Sequence, residues 1–263
     1  MDLGSETYST ISVDHDDEVA YLTLRRPAKR NAVNPAMRDE LVDVGARLAD
    51  DGDLRCLVVR GAGPAFSGGL DLQEGIDDLL SDWAEHLSGD ALVEKGLALA
   101  SAFEWIPRLE VPSIAAVHGY AYGAGCQLAL ACDFRIVAES ARIGLVESRL
   151  GLMPDMGATF RLPRLVSDSV ARRMILLGEV LDGIESAAVG LADEVVPDDQ
   201  LATSVGRLAH RLAAQPPLAV RGARRAMAAA RELPDDAALL AAVTEQAACL
   251  SSEDFRRLIG TRR

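Results

Sequence analysis

Ile114-Ala-Ala-Val-His-Gly-Tyr-Ala-Tyr-Gly-Ala-Gly-Cys-Gln-Leu-Ala-Leu-Ala-Cys-Asp133 passes from an apolar run through a glycine-rich turn into a second apolar stretch. The spacing predicts a strand at Ser113–Val117, a turn at Gly119–Gly125 and a helix at Cys126–Ala131. A glycine turn feeding a helix exposes unpaired backbone N–H groups at the positive end of the helix dipole. Such donors suit a phosphate, or an oxyanion developing on a carbonyl. An earlier stretch has the same plan: a strand at Cys56–Val59, the turn Gly61-Ala-Gly-Pro64 with its continuation to Asp71, and a helix at Ala91–Trp105 closed by Pro107. Strand, glycine turn and helix in repetition predict an α/β fold with mostly parallel strands.

Outward from these repeats, Thr10–Val13 and Val19–Leu24 alternate as strands around the acidic turn Asp14–Glu18, so the chain opens with a hairpin. Asn34 before Pro35 reads as an N-cap with proline at the first helical position, and helical spacing runs to Ala49. Gly75–Leu87 has no clear period and is expected as a variable loop or irregular helix. Phe134–Ala138 is another strand. Beyond Pro154 the chain turns helical, at Ser167–Leu177, before Gly190, and at Asp198–Ala214, Leu218–Arg231 and Asp235–Leu250, with a strand near Val195. Alanine-rich helices of this kind often build oligomer contacts.

Forty acidic against twenty-seven basic residues give a net charge of −13, which argues against nucleic acid or an anionic membrane as a broad partner. Against that background Arg25, Arg26, Lys29 and Arg30 form a basic cluster, open to reading as a solvated loop or as an anion site. Cys56, Cys126, Cys132 and Cys249 lack metal-type pairing, so reduced thiols and no metal are expected. No apolar run approaches the ~18 residues of a membrane span. Met1–Ser12 is polar and acidic, without signal-peptide character, which predicts a cytoplasmic protein. The dinucleotide fingerprint fails at both turns, with Phe66 at the third glycine position of the first. On spacing alone a structural role for these glycines stays open.

The residues themselves resemble a family. Ala65-Phe-Ser-Gly-Gly-Leu-Asp-Leu72 is similar to its A-F-S-A-G-A-D-L segment, and Ile114–Asp133 to its I-A-A-V-x-G-x-A-x-G-G-G-x-E-L-A-L-A-C-D. Leu150-Gly-Leu-Met-Pro, Arg161-Leu-Pro-Arg-Leu-Val166, Ala187 with Gly190-Leu191, and near the start Arg26-Pro and Asn31-Ala continue the pattern. By these motifs the chain resembles the crotonase (enoyl-CoA hydratase/isomerase) superfamily from about Leu24 to Asp254.

The resemblance implies a spiral of β-β-α turns over residues 1–196, binding acyl-CoA, and a helical trimerisation region at 197–263, assembled as a homotrimer or a dimer of trimers. It implies no cofactor, CoA being part of the substrate. The backbone N–H groups of Leu70 and Ala124 take the oxyanion-hole positions. Alanine at 124 replaces a usual glycine and forbids a freely positive φ. Gly68, Asp71 and Gly123 fall among the substrate-binding positions, and Arg26, Lys29 and Arg30 approach the CoA phosphates. Of the two glutamates that activate water in the hydratases, the first position holds Gln127, which cannot take a proton near neutral pH. The second is Glu147. Asp155 stands where many hydratases have glycine and isomerases frequently have aspartate, although it also reads as a helix N-cap. Proton transfer between two carbons of one enolate needs a single shuttling carboxylate, whereas hydration needs a held water as well. The expectation is therefore an enoyl- or dienoyl-CoA isomerase with Glu147 as main base and Asp155 as partner. A hydratase using Glu147 with Asp155 is the alternative, and a non-catalytic acyl-CoA-binding oligomer is a third reading.

Overall fold

The computed structural model describes residues 8–74 and 89–260, so the expected irregular stretch Gly75–Leu87 lies outside the described residues. Strands β1 (Ile11–Asp16) and β2 (Val19–Leu24) pair antiparallel, from Ile11 opposite Leu24 to Asp16 opposite Val19. The acidic residues expected in the turn continue the ladder instead, because main-chain bonds hold an edge strand whose outer side chains stay solvated. Only Asp17 and Glu18 turn, with Asp17 at φ +50°, a left-handed conformation that aspartate tolerates.

From this hairpin the chain advances in repeated steps. Helix α1 (Pro35–Ala49) starts as expected, with Asn34 accepting a hydrogen bond from the Met37 N–H at 3.0 Å. Strand β3 (Cys56–Gly61) is followed by α2 (Gly89–Glu104), and a 3-10 turn at Ile106–Arg108 takes in Pro107. Strand β4 (Ser113–Val117) leads to β5 (Tyr120–Tyr122) and α3 (Ala124–Ala131). The glycine turn expected at Gly119–Gly125 is thus split by a short strand between two positive-φ glycines, and the helix begins two residues early. Next come β6 (Phe134–Ala138), β7 (Arg142–Gly144), α4 (Ala158–Arg161) and α5 (Asp168–Leu177), then β8 (Val180–Asp182), α6 (Gly183–Ala188) and β9 (Glu194–Val196). Strands β7 and β8 have three residues each, too few for a periodic signal.

The large sheet has the order β1-β2-β3-β4-β6-β9, with every pair after the first parallel. The second sheet, β5-β7-β8, is extended by single bridges from Ser67 to Ala121 and from Val33 to Leu70. Each turn therefore lays a strand in the large sheet, crosses to the second layer and returns through a helix, the expected β-β-α spiral. Strand β4 is buried along its length, as a parallel strand covered on both faces must be.

The helices after residue 197 pack in two ways. Helix α7 (Leu201–Ala213) lies across β2, β3, β4 and β6, with Leu201, Val205 and Ala209 in the main core. Helices α8 (Pro217–Ala229) and α9 (Asp235–Leu250) pack on each other, and α10 (Glu253–Gly260) contacts α9. Leu239, Leu240 and Val243 on α9 and Leu258 and Ile259 on α10 remain exposed. No helix among the described residues is long and apolar enough to cross a membrane.

Asn31 fixes the entry to the spiral. Fully buried at φ +54°, its Nδ2 donates to the carbonyls of Ala62 (2.8 Å) and Ala65 (2.7 Å), while Oδ1 accepts from the Arg26 N–H (2.9 Å). Its own carbonyl accepts from Ser67 Oγ at 2.9 Å. Replacement by alanine leaves three backbone groups without their side-chain partner, the Ala65 carbonyl among them buried, and puts alanine in a left-handed conformation that it resists. We expect Asn31→Ala to cost about 2–4 kcal/mol, read as a lowered midpoint in urea unfolding. An unchanged midpoint would remove Asn31 from this role.

Candidate active site

Two loops converge on one point. The Phe66 N–H donates to the His118 carbonyl (2.9 Å), the Ser67 N–H to that of Tyr120 (2.9 Å), and the Tyr122 N–H to that of Ser67 (3.1 Å). On the other side Val33 donates to Gly69 (2.8 Å) and accepts from Asp71 (2.9 Å). Strand alternation then turns the Leu70 N–H away from Val33. Ala124 is the first residue of α3, so its N–H has no acceptor within the helix. Neither N–H donates to a partner among the described residues.

Glycine makes the approach possible. Gly69 has φ +100°, and a Cβ there would lie 2.8 Å from the Tyr122 carbonyl oxygen and 3.7 Å from the Ala124 nitrogen. The left-handed residue before α3 is Gly123, at φ +51°. Ala124 has no positive φ and needs none, so alanine fits its position without strain.

Beside these donors lies a cavity of about 200 Å³, lined in part by Gly68, Gly123, Leu70 and Ala124, by Gln127, Glu147 and Asp155, and by apolar groups including Leu99, Leu152 and Met156. Gln127 is buried, and both ends of its amide are committed. Oε1 accepts from the N–H groups of Met156 (2.8 Å) and Ala158 (3.3 Å), and Nε2 donates to Glu147 Oε1 (2.9 Å). Two backbone donors on one side and a carboxylate on the other determine which way the amide faces. Glu147 Oε2 is buried and has no partner among the described residues.

Burial raises the Glu147 carboxyl above the usual glutamate range, against the pull of its own backbone hydrogen bond and of Gln127; the Asp155 charge raises it further. Asp155 keeps solvent contact at the mouth, yet the protein packed around it also raises its carboxyl. It does not cap a helix: α4 begins at Ala158 with Gly157 as N-cap.

The basic cluster divides. Arg26 donates to the Ala32 carbonyl (2.6 Å), Asp71 (2.9 Å) and Glu74 (2.8 Å). It and Asp71 are both nearly enclosed and do not line the cavity. Burial works against the Asp71 carboxylate, but the N–H groups of Glu74 and Gln73 together with Arg26 outweigh it and lower its pKa. This pair braces the first loop from behind. Lys29 and Arg30 stay exposed at its rim, Lys29 bonded to Gln73 (2.9 Å) and Arg30 over the Tyr120 ring (5.7 Å). The Gly68 N–H donates to the Arg30 carbonyl at 2.8 Å, which ties the rim to the glycine loop.

Three contributions were not anticipated from the sequence: Gly69 at the closest approach, the Met156 and Ala158 N–H groups that hold Gln127, and Arg161. Arg161 spans from the Met156 carbonyl (3.1 Å) to Glu104 on α2 (2.7 Å). It stands in the quoted Arg161–Val166 segment, but nothing local in that segment points to either partner.

The sequence model of the enoyl-CoA hydratase/isomerase family matches residues 14–261 of this chain. A 2,3-dehydroadipyl-CoA hydratase of Escherichia coli is 37% identical over 232 residues, covering 86% of this chain and 84% of that protein. The crystal structure of an enoyl-CoA hydratase from Bacillus anthracis superposes with a TM-score of 0.86 at 30% identity, covering 97% of this chain and 95% of that one. A candidate enoyl-CoA hydratase from Thermobifida fusca, solved in complex with acetoacetyl-CoA, gives a TM-score of 0.82 at 33% identity over 92% of this chain and 95% of that one.

The hydrogen bond from Gln127 favours ionised Glu147, and the Asp155 charge opposes it, so two substitutions should move the base in opposite directions. If turnover requires ionised Glu147, Gln127→Leu shifts the acid limb of the kcat/KM profile to higher pH and Asp155→Asn shifts it to lower pH. A limb unmoved by both would show that Glu147 does not set it.

Proposed function

Because this chain belongs to the enoyl-CoA hydratase/isomerase family, we propose that it shifts a carbon–carbon double bond in an enoyl-CoA, of the Δ3-to-Δ2 or dienoyl type. The observation carrying this reading is a carboxylate oxygen without a partner among the described residues, Glu147 Oε2, beside a glutamine at the other acid position. The thioester carbonyl accepts from the N–H groups of Leu70 and Ala124. Glu147 takes the proton from C2 of a 3-enoyl thioester, and the resulting dienolate places its charge on the oxygen held by those donors. The same carboxylic acid returns the proton at C4, leaving the double bond between C2 and C3. No water and no cofactor enter the balance. Glu147, raised by burial, is a stronger base than an exposed glutamate. Asp155 assists proton movement from the cavity mouth, and Gln127 positions Glu147. Lys29, Arg30 and Gly68 meet the CoA portion, with Arg26 and Asp71 supporting the loop from behind.

Hydration is the second reading, because the relatives named above are hydratases and Asp155 supplies a second carboxylate in the same cavity. It differs in requiring a water held between Glu147 and Asp155. Incubation with 3-enoyl-CoA and 2-enoyl-CoA separates the two. Isomerisation predicts a gain of conjugated-thioester absorbance from the 3-enoyl substrate, reduced about 10²–10⁴-fold by Glu147→Gln. Loss of absorbance from the 2-enoyl substrate with 3-hydroxyacyl-CoA as product would replace it by hydration. Binding of both esters without turnover would favour a non-catalytic oligomer.

We further propose a homotrimer or dimer of trimers in the cytoplasm, with the exposed leucines and isoleucine of α9 and α10 covered between subunits. Burying such side chains contributes roughly 1.5–3 kcal/mol each. Light scattering should then give a trimeric or hexameric mass, reduced by Leu240→Glu; a monomeric wild-type protein would refute the assembly.

A further inference from the structure

Away from the catalytic cavity, α2, α4 and α8 enclose a cleft of about 530 Å³, within the size range of small-molecule sites. Its walls carry six arginines against three glutamates, although the whole chain has a net charge of −13. Three of the arginines are committed: Arg161 to Glu104, Arg224 to Asp133, and Arg225 to Glu110 and Glu245. The other three, Arg108, Arg164 and Arg231, are exposed and form no ion pair among the described residues. Arg161 and Arg164 also flank the ring of Phe160, at 4.8 and 5.6 Å. Guanidinium groups lining one cleft suit a multiply charged oxyanion, which accepts several charge-assisted hydrogen bonds from them.

One arginine of the cleft also reaches the catalytic loop. Arg161 donates to the Met156 carbonyl at 3.1 Å, and the Met156 N–H holds Gln127 at 2.8 Å, which in turn holds Glu147. An anion that draws Arg161 toward the cleft pulls on the segment that carries Asp155 and fixes Gln127.

We propose that this cleft binds a phosphate- or pyrophosphate-bearing ligand at a site separate from the catalytic cavity, and that its occupancy alters turnover through Arg161. The effect on turnover rests on the enzymatic reading above; the binding does not, and calorimetry tests it independently. The probe is inorganic pyrophosphate titrated into the full-length protein at low ionic strength. One saturable site per chain is expected, weakened at least tenfold in Arg164→Ala/Arg231→Ala, with the thermal midpoint and the turnover without pyrophosphate unchanged. Saturating pyrophosphate should change kcat of the wild type without a proportional rise in KM, and leave the double variant unaffected. Absence of saturable heat, equal affinity in the variant, or stoichiometric displacement by CoA would overturn the site, the last by assigning the ion to the substrate's own position. Binding with kcat unchanged would overturn the coupling through Arg161.

Discussion

The hydrogen bonds that join residues 66 and 67 to residues 118–122 hold two glycine loops in one register, and the site exists only in that register. Each loop leaves its own strand of the large sheet, β3 or β4, and those strands are themselves paired in parallel. The loops start side by side for that reason and are then locked by their own ladder. The bridge from Val33 to Leu70 adds a third segment. With both neighbours of Leu70 bonded to Val33, its own N–H can only face the other way. A shift of one residue would reverse that direction, so the fold itself aims the donors.

Gln127 plays a comparable part among the acids. Its carbonyl end takes two backbone donors and its amino end takes one oxygen of Glu147. A buried amide satisfied on both sides is costly to rearrange, since breaking either contact strands a polar group away from water. The result is a carboxylate with one oxygen held and the other without a partner among the described residues. Two carboxylates in direct apposition would oppose each other's ionisation; glutamine avoids that at the inner position, while Asp155 sits further out, in contact with solvent.

The distribution of positive charge follows the same economy. Within the basic cluster Arg26 is used inward against Asp71 and Glu74, leaving Lys29 and Arg30 at the rim. Arg161 ties α2 to the loop bearing Asp155, and Arg224 and Arg225 tie α8 to the core and to α9. In an acidic chain these arginines act as cross-links between elements, and in the cleft beside α8 arginines outnumber the carboxylates of its lining.

The sequence by itself determined the repeated strand, glycine turn and helix, the capped start of α1 at Asn34, and the family, because these rest on local spacing and on motifs. It could not locate β7 and β8, since three residues carry no period. It placed the start of α3 late, and it grouped Arg26 and Asp71 with ligand contacts although each is enclosed by the other. Alanine at 124 looked like an obstacle until the structure assigned the positive φ to Gly123. Which groups of the site meet was decided only by tertiary structure. Gln127 to Met156 and Glu147, Arg161 to Glu104, and Gly69 to the Tyr122 carbonyl are contacts between segments far apart along the chain, set by strand register and packing that no local pattern of residues records.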